Sequence, residues 1–303
     1  MSVLGTDLRV VLKNILFLTD FSGASEAALP FAAAIARGYG ATVYSLYVFT
    51  PASYVYTTPE LTATAIKAEE ENAKAEMARV ESQFAGLSHD AIIAQGLNVW
   101  DAVAQTVKDH AIDMIVLGTH GRTGAEKFLL GSVAEEIFRR SPVPVLTIGP
   151  GVRSGAHNGG RFNRVLFAND FTAASAAAAP YALSLAVENR ARLVLLHVMR
   201  KPEARNGDKD RLQLSVAEAN QQLYEAIGYG AELEGRPEVI VEFGEPAERI
   251  VAAAQQRRID LIVLGVRDAT GRLGAATHLG RATAHQVVAH AGCPVLTVRQ
   301  QTA

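Results

Sequence analysis

Phosphate chemistry is the first thing the residue types and spacing suggest, in the stretch LGTHGRTGAEKFLLGSV from Leu117 to Val133. The spacing is Gly118–x2–Gly121–x9–Gly131–Ser132. Before it, Asp113–Val116 (DMIV) reads as a buried parallel strand. Directly after it comes AEEIFRR, with the composition and charge spacing of a helix. Gly118, Gly121 and Gly124 therefore lie on a loop after a strand, and Gly131–Ser132 open a helix. Glycines let backbone approach an anion closely, and first-turn N–H groups point at it with a favourable dipole. Arg122 adds a cation beside the loop, which favours phosphate contact over a merely solvated charge. The pattern is neither a P-loop nor a G-x-G-x-x-G fingerprint. Glycines after a strand also serve as plain turn residues, and the spacing alone leaves that reading open.

The elements that position this loop follow from periodicity. Asn14–Thr19 (NILFLT) reads as a buried strand ending at Asp20. Ser22 caps a helix running to about Arg37, where Gly38 and Gly40 stop it. Thr42–Val48 is a second strand. Thr58–Pro59–Glu60 starts a long helix, with Pro at its first position. The Glu69–Glu71 run on that helix reads as a solvated face rather than a partner surface. Asp90–Ala94 is a third strand, Val99–His110 a helix, Asp113–Leu117 a fourth strand and Pro144–Ile148 a fifth. Strand and helix alternate, which implies a parallel sheet with helices on both faces, an α/β class. Ligands of such sheets bind beyond the carboxyl ends of strands, where strand order switches. Asp20 and the Gly118 loop both follow strands, so both are expected at that edge.

Gly149–Gly160 (GPGVRSGAHNGG) has no periodicity and reads as a linker, after which the pattern restarts. ILFLTDFS at Ile15–Ser22 returns as VLFANDFT at Val165–Thr172. VYSLYV returns as LVLLHV, IDMIVLG as IDLIVLG, and VPVLTI as CPVLTV. The chain is a duplication of one α/β unit. Its 303 residues suit two domains, at 1–150 and 161–303 with 151–160 between them.

Acidic and basic residues nearly cancel, at a net charge of −2, so there is no electrostatic case for nucleic acid or a membrane surface. Asp7, Arg9 and Lys13 interrupt the apolar N-terminus, which does not read as a signal peptide, and no uncharged run is long enough to span a bilayer. The single Cys293 excludes an intrachain disulfide, suits a reducing cytoplasm, and reads as buried and inert.

The glycine spacing, the Gly–Ser helix start and the following SPVPVLTI resemble the universal stress protein family, whose nucleotide signature is G-x2-G-x9-G-S/T. With the repeat, the resemblance covers essentially the whole chain in the tandem form of that family. It implies two doubly wound, Rossmann-like domains, each a five-stranded parallel sheet in order 3-2-1-4-5, with ATP or another adenine nucleotide at the carboxyl edge, with or without Mg2+. Carried over, Asp20 lies by the adenine and ribose, and Val48 meets the adenine through its backbone. Gly118, His120, Gly121 and Arg122 wrap ribose and phosphates. Gly131, Ser132 and Val133 hold phosphates through N–H groups and a hydroxyl. The resemblance also implies that the fifth-strand edges of the two halves pair within the chain. Whether whole chains form a homodimer is left undecided.

Each residue has a plainer reading: Asp20 as a helix cap, His120 as a surface loop histidine. His278 and His285 lack a third ligand in sequence, and no metal site is expected. In the second half, Asp170, Gly265 and Gly280 keep the landmarks, but Gly265 and Gly280 lie further apart than Gly118 and Gly131. Asp268 takes the place of Gly121 if alignment starts at Gly265. Aligning Gly271–Arg272 with Gly121–Arg122 instead leaves a mismatch before Gly280. Arg281 replaces Ser132 in both cases, and is expected to fill the cradle by pairing with Asp268 or Asp170. Nucleotide is therefore expected mainly in the first half.

There is no G-x-S-x-G elbow, no H-E-x-x-H and no kinase motif set, so slow ATP hydrolysis is the most the sequence supports. Three functions fit: a nucleotide-dependent stress or signalling regulator, an interaction scaffold without nucleotide, or an enzyme of the same fold class. The third would need an H-x-G-H-type loop after the first strand, where TDFSGAS stands.

Overall fold

The computed structural model describes residues 10–50, 59–119, 130–152, 158–200, 209–228, 233–266 and 283–300. They form two compact units. One is Leu12–Arg161; the other begins at Phe162 and includes Val10 and Val11. The Ser184 hydroxyl donates to the Val10 carbonyl at 3.4 Å, which ties that N-terminal stretch to the second unit.

In the first unit the order is β1 (Asn14–Leu18), α1 (Gly23–Tyr39), β2 (Thr42–Phe49), α2 (Pro59–Gln83), β3 (His89–Gln95), α3 (Val99–Asp109), β4 (Met114–Gly118), α4 (Ser132–Arg140) and β5 (Val145–Ile148). Every strand pair is parallel and the sheet order is β3-β2-β1-β4-β5. The chain moves outward from β1 to β3, then crosses back to β4 and β5. The switch in order therefore falls between β1 and β4. Ile15, Leu16 and Phe17 of β1 and Ile115 and Val116 of β4 are fully buried, as continuous apolar runs in a doubly covered sheet should be.

Local chemistry sets the ends of these elements. Ser22 caps α1 in extended conformation, its hydroxyl accepting from Ser25 N. The helix runs through Gly38 to Tyr39, beyond the expected end at Arg37. Gly40, at φ 66°, supplies the left-handed cap that stops it. At the amino edge the Asp113 carboxylate accepts from the backbone N–H groups of Lys13 (2.7 Å) and Asn14 (2.9 Å), which bolts the start of β1 to the start of β4.

The second unit comprises β6 (Arg164–Ala168), α5 (Ala173–Asn189), β7 (Arg192–Met199), α6 (Lys209–Ala226), β8 (Glu238–Phe243), α7 (Pro246–Gln256), β9 (Leu261–Val266), α8 (Thr283–His290) and β10 (Val295–Arg299). Its order, β8-β7-β6-β9-β10, repeats the first. Asp260 repeats the bolt, accepting from Asn163 N (2.8 Å) and Arg164 N (2.9 Å). The aspartate shared by IDMIVLG and IDLIVLG is thus structural in both units.

The stretch read as a linker is held at its described ends. Val152 is buried and donates to the Gly149 carbonyl at 3.1 Å. A short turn at Asn158–Gly160 packs so closely on α1 that a Cβ on Gly160 would stand 2.2 Å from the Pro30 carbonyl oxygen. Glycine composition reads as flexibility in the sequence. Here it permits a positive φ of 87° at Gly160 and a close approach of backbone to backbone.

Candidate functional site

Register brings the expected residues to one edge. Leu18 pairs with Leu46 of β2 and with Leu117 of β4. Asp20, Val48 and Thr119 each lie two residues further along the chain, Val48 inside β2 opposite Ala94 of β3, Asp20 and Thr119 after the ends of β1 and β4. The Leu46 carbonyl faces β1 and accepts from Thr19 N at 3.1 Å. Backbone groups alternate sides along a strand, so the N–H and C=O of Val48 face the same way, past the point where β1 turns off at Asp20. A planar ring placed there would find one donor and one acceptor on a single residue.

Asp20 is half-buried, and its Oδ1 accepts from Ser22 N (3.1 Å) and Ser22 Oγ (2.5 Å). It thus supports the α1 cap from a position at the switch point. Next to it Phe21 sits at φ 60°, a costly conformation for a bulky residue. The Thr19 hydroxyl holds it there by accepting from Phe21 N at 3.0 Å. The Phe21 ring lies 4.5 Å from that of Tyr47, whose hydroxyl donates to Glu69 Oε1 at 2.7 Å. Glu69, expected on a solvated face, instead ties α2 to the site's edge, while Glu70 pairs with Lys74 on the surface.

The glycine loop leaves β4 and returns at α4. Thr119 N donates to the Ile148 carbonyl at 3.0 Å, and the Thr119 carbonyl accepts from Gly131 N at 2.7 Å. This last bond closes the base of the loop and sets the start of α4 beside the end of β4. Gly131 is the N-cap, at φ −59° and ψ 147°. These angles are open to any residue, so its glycine is not demanded by backbone strain. Ser132 and Val133 of the first turn are exposed. Their N–H groups belong to the set that a helix start leaves without intrahelical partners. Glu135 in the first turn and Arg139 and Arg140 in the last align with the helix dipole. His120, Gly121 and Arg122 lie outside the described residues.

Gly118 has a reason of its own to be glycine. A Cβ there would stand 2.3 Å from the Ala24 carbonyl oxygen and 2.9 Å from Ser25 N, in the first turn of α1. Gly265 meets Ala174 in the same way, at 2.3 Å. Packing of the fourth strand against the first helix therefore accounts for this glycine in both units, and its return in the second half is no sign of a phosphate site.

The second unit keeps the edge but changes its chemistry. His197 stands where Tyr47 does, its Nδ1 2.8 Å from the Asn169 carbonyl and its ring 4.3 Å from Phe171. Phe171 is at φ 59°, held by Asn169 Oδ1, which accepts from Phe171 N at 2.7 Å. Asp268, Gly271, Arg272, Gly280 and Arg281 lie outside the described residues, as does His278. Sequence reasoning missed Thr19, Ser25 and Thr119 in the first unit and Asn169 in the second. Their signal is a polar residue at or just after the end of an apolar strand or, for Ser25, in the first turn of the helix that follows.

Among the described residues, no group of three or more His, Cys, Asp or Glu side chains could hold a metal ion. Nor is any helix among them long and apolar enough to cross a membrane. Cys293 is buried, and burial first, then the Asp260 charge, pushes its thiol up to about 12. It stays protonated at physiological pH and offers no nucleophile.

Comparison with known proteins accords with this architecture. The model of the universal stress protein family matches residues 12–149 and again 161–299. A universal stress protein of Methanocaldococcus jannaschii is 32% identical over 140 residues, 45% of this chain and 81% of its own. Universal stress protein YxiE of Bacillus subtilis is 31% identical over 150 residues, 46% of this chain and 99% of its own. A solved universal stress protein from Archaeoglobus fulgidus aligns over 95% of this chain and 98% of its own, with a TM-score of 0.69 at 23% identity, a likeness of fold. Two matches of one family model, on two units of one topology, make this chain a member of the universal stress protein family that carries the family's domain twice in tandem.

Proposed function

We propose that the first unit binds an adenine nucleotide, ATP or a close relative with or without Mg2+, at the carboxyl edge of its sheet, and that the chain is a nucleotide-dependent regulator in a stress response. The observation that supports this is the shared edge at the switch point, where Leu18 stands level with Leu46 and Leu117 and the chain runs on to Asp20, Val48 and Thr119, with the start of α4 tied to the end of β4 through Thr119 and Gly131. In this reading the Val48 backbone meets the base and Asp20 the base or ribose. Gly118, His120, Gly121 and Arg122 follow ribose and phosphates. Gly131, Ser132 and Val133 hold phosphate at the positive end of α4. One family member has been solved in complex with cAMP, which names a chemical class to test.

Binding of this kind regulates by favouring one conformation over another, in proportion to the ligand's differential affinity for the two. The test is mass measurement of small molecules released from the purified, denatured protein, followed by calorimetry with ATP and AMP. An adenine nucleotide released, or bound at micromolar concentration, is the expected result. Neither release nor binding of any adenine nucleotide would leave the interaction scaffold as the better reading.

A further inference from the structure

We infer that Arg140, lying over the face of Trp100, is a positioning residue for the phosphate end of the first unit: the pair keeps α4 from rolling and so holds Ser132 and Val133 in the orientation that phosphate needs. This rests on the nucleotide reading above.

Helix α4 has nine residues, a length of about 14 Å. Its buried side chains, Ala134, Ile137 and Phe138, form one narrow stripe at i, i+3 and i+4. Such a stripe sets which face meets the core but resists roll about the helix axis only weakly. The amino end is fixed by buried Leu130 and by Gly131 N, which donates to the Thr119 carbonyl. At the other end Arg140 makes a lateral contact. Its guanidinium carbon lies 4.8 Å from the centroid of the Trp100 ring. Its Nη1 donates to Glu136 Oε1 at 2.7 Å, one turn back on the same helix. Trp100 belongs to the first turn of α3 and is 8% exposed, so the ring is a fixed support. A cation is attracted to the face of an aromatic ring, and roll of α4 in either direction carries Arg140 off that face.

The second unit shows what the pair is not needed for. Ala247, Ile250, Ala253 and Ala254 of α7 are buried at the spacing of Trp100, Val103, Thr106 and Val107 of α3. Ala284, Val287 and Val288 of α8 repeat Ala134, Ile137 and Phe138 of α4. The counterparts of Trp100 and Arg140 are therefore Ala247 and His290. Helices α7 and α8 still pack together, so the fold does not require the cation and the ring to join this helix pair. The pair stands in the unit that opens α4 with Gly131–Ser132 and is replaced in the unit where Arg281 follows Gly280. Stability is a poor explanation of Arg140, because its side chain is 46% exposed and an exposed cation over a ring contributes little. Orientation is a better one, because the Ser132 hydroxyl and the first-turn N–H groups bond phosphate only within narrow limits of distance and angle.

The experiment is calorimetry of ATP and of adenosine on the full chain and its variants. Arg140→Ala should weaken ATP about fivefold, a loss bounded by the strength of one exposed cation–ring contact that acts by populating the competent orientation. Adenosine, which carries no phosphate, should stay within about 1.5-fold of the parent on the same reasoning. Trp100→Leu keeps an apolar side chain beneath α4 and should cost ATP a similar factor. Adding Arg140→Ala to Trp100→Leu should cost nothing further, since no ring remains for the cation to hold. Parent-like ATP affinity in Arg140→Ala overturns the inference, and that arm holds even where Trp100→Leu fails to fold. Equal losses of ATP and adenosine would mean general damage to the unit. A second full loss in the double variant would mean that Arg140 acts on ATP through its charge at a distance. Either result overturns the inference while the nucleotide reading stands. A parent that binds no adenine nucleotide overturns that reading and the inference with it.

Discussion

Replacing Gly118 with Ala should destabilise the first unit whether or not it touches ligand binding. The added Cβ would lie 2.3 Å from the Ala24 carbonyl oxygen, 2.5 Å from its carbon and 2.9 Å from Ser25 N. All three are backbone atoms, so no side chain can rotate away. Relief requires the first turn of α1 to move off the end of β4 by about an ångström, against a close-packed sheet. Overpacking of this kind costs about 1–3 kcal/mol, and the rigid neighbours argue for the upper end. For a unit of this size that is roughly a 4–10 °C drop in Tm. Gly23→Ala is the control: nothing lies within 4 Å of its Cβ position, and it should be neutral or slightly stabilising. The assay is urea and thermal unfolding of the full chain followed by far-UV circular dichroism, with Gly265→Ala as the parallel change in the second unit. A Gly118→Ala variant with the parent's unfolding midpoint would refute the close approach. It would also return this glycine to the phosphate loop as its sole explanation.

Other outcomes follow from the same contacts. Asp113→Ala removes the acceptor for two backbone N–H groups at the start of β1 and should cost about 1–3 kcal/mol in urea unfolding without changing nucleotide affinity. Calorimetry on the parent should give one tight adenine-nucleotide site per chain, abolished by Gly121→Asp with Ser132→Arg and unaffected by Arg281→Ala; two equivalent sites would reject the inequality of the units. With its thiol at about 12, Cys293 should resist a thiol reagent at pH 8 in the native protein and react at once in denaturant. Rapid labelling of the folded chain would contradict its burial.

The sequence by itself determined the class, the duplication and the parallel sheets, because apolar runs bounded by helix caps leave few other ways to bury themselves. It also placed Asp20 after a strand end and Gly131–Ser132 at a helix start, whereas Val48 came with the family resemblance. Strand order came with the family resemblance, since local periodicity does not say which strands become neighbours. Only tertiary structure decided what the shared residues are for. Gly118 reads as a phosphate residue in the chain, yet Ala24, far away in sequence, is what excludes a side chain there. Asp113 reads as the polar start of a strand, yet it bolts β1 from a distance of about a hundred positions. Thr19 and Asn169 look interchangeable as polar strand ends. In the fold each holds the N–H of the phenylalanine two residues on, and the buried serine beside it bonds differently in the two units: Ser25 donates to the Ser22 carbonyl and Ser175 to Asp170 Oδ1.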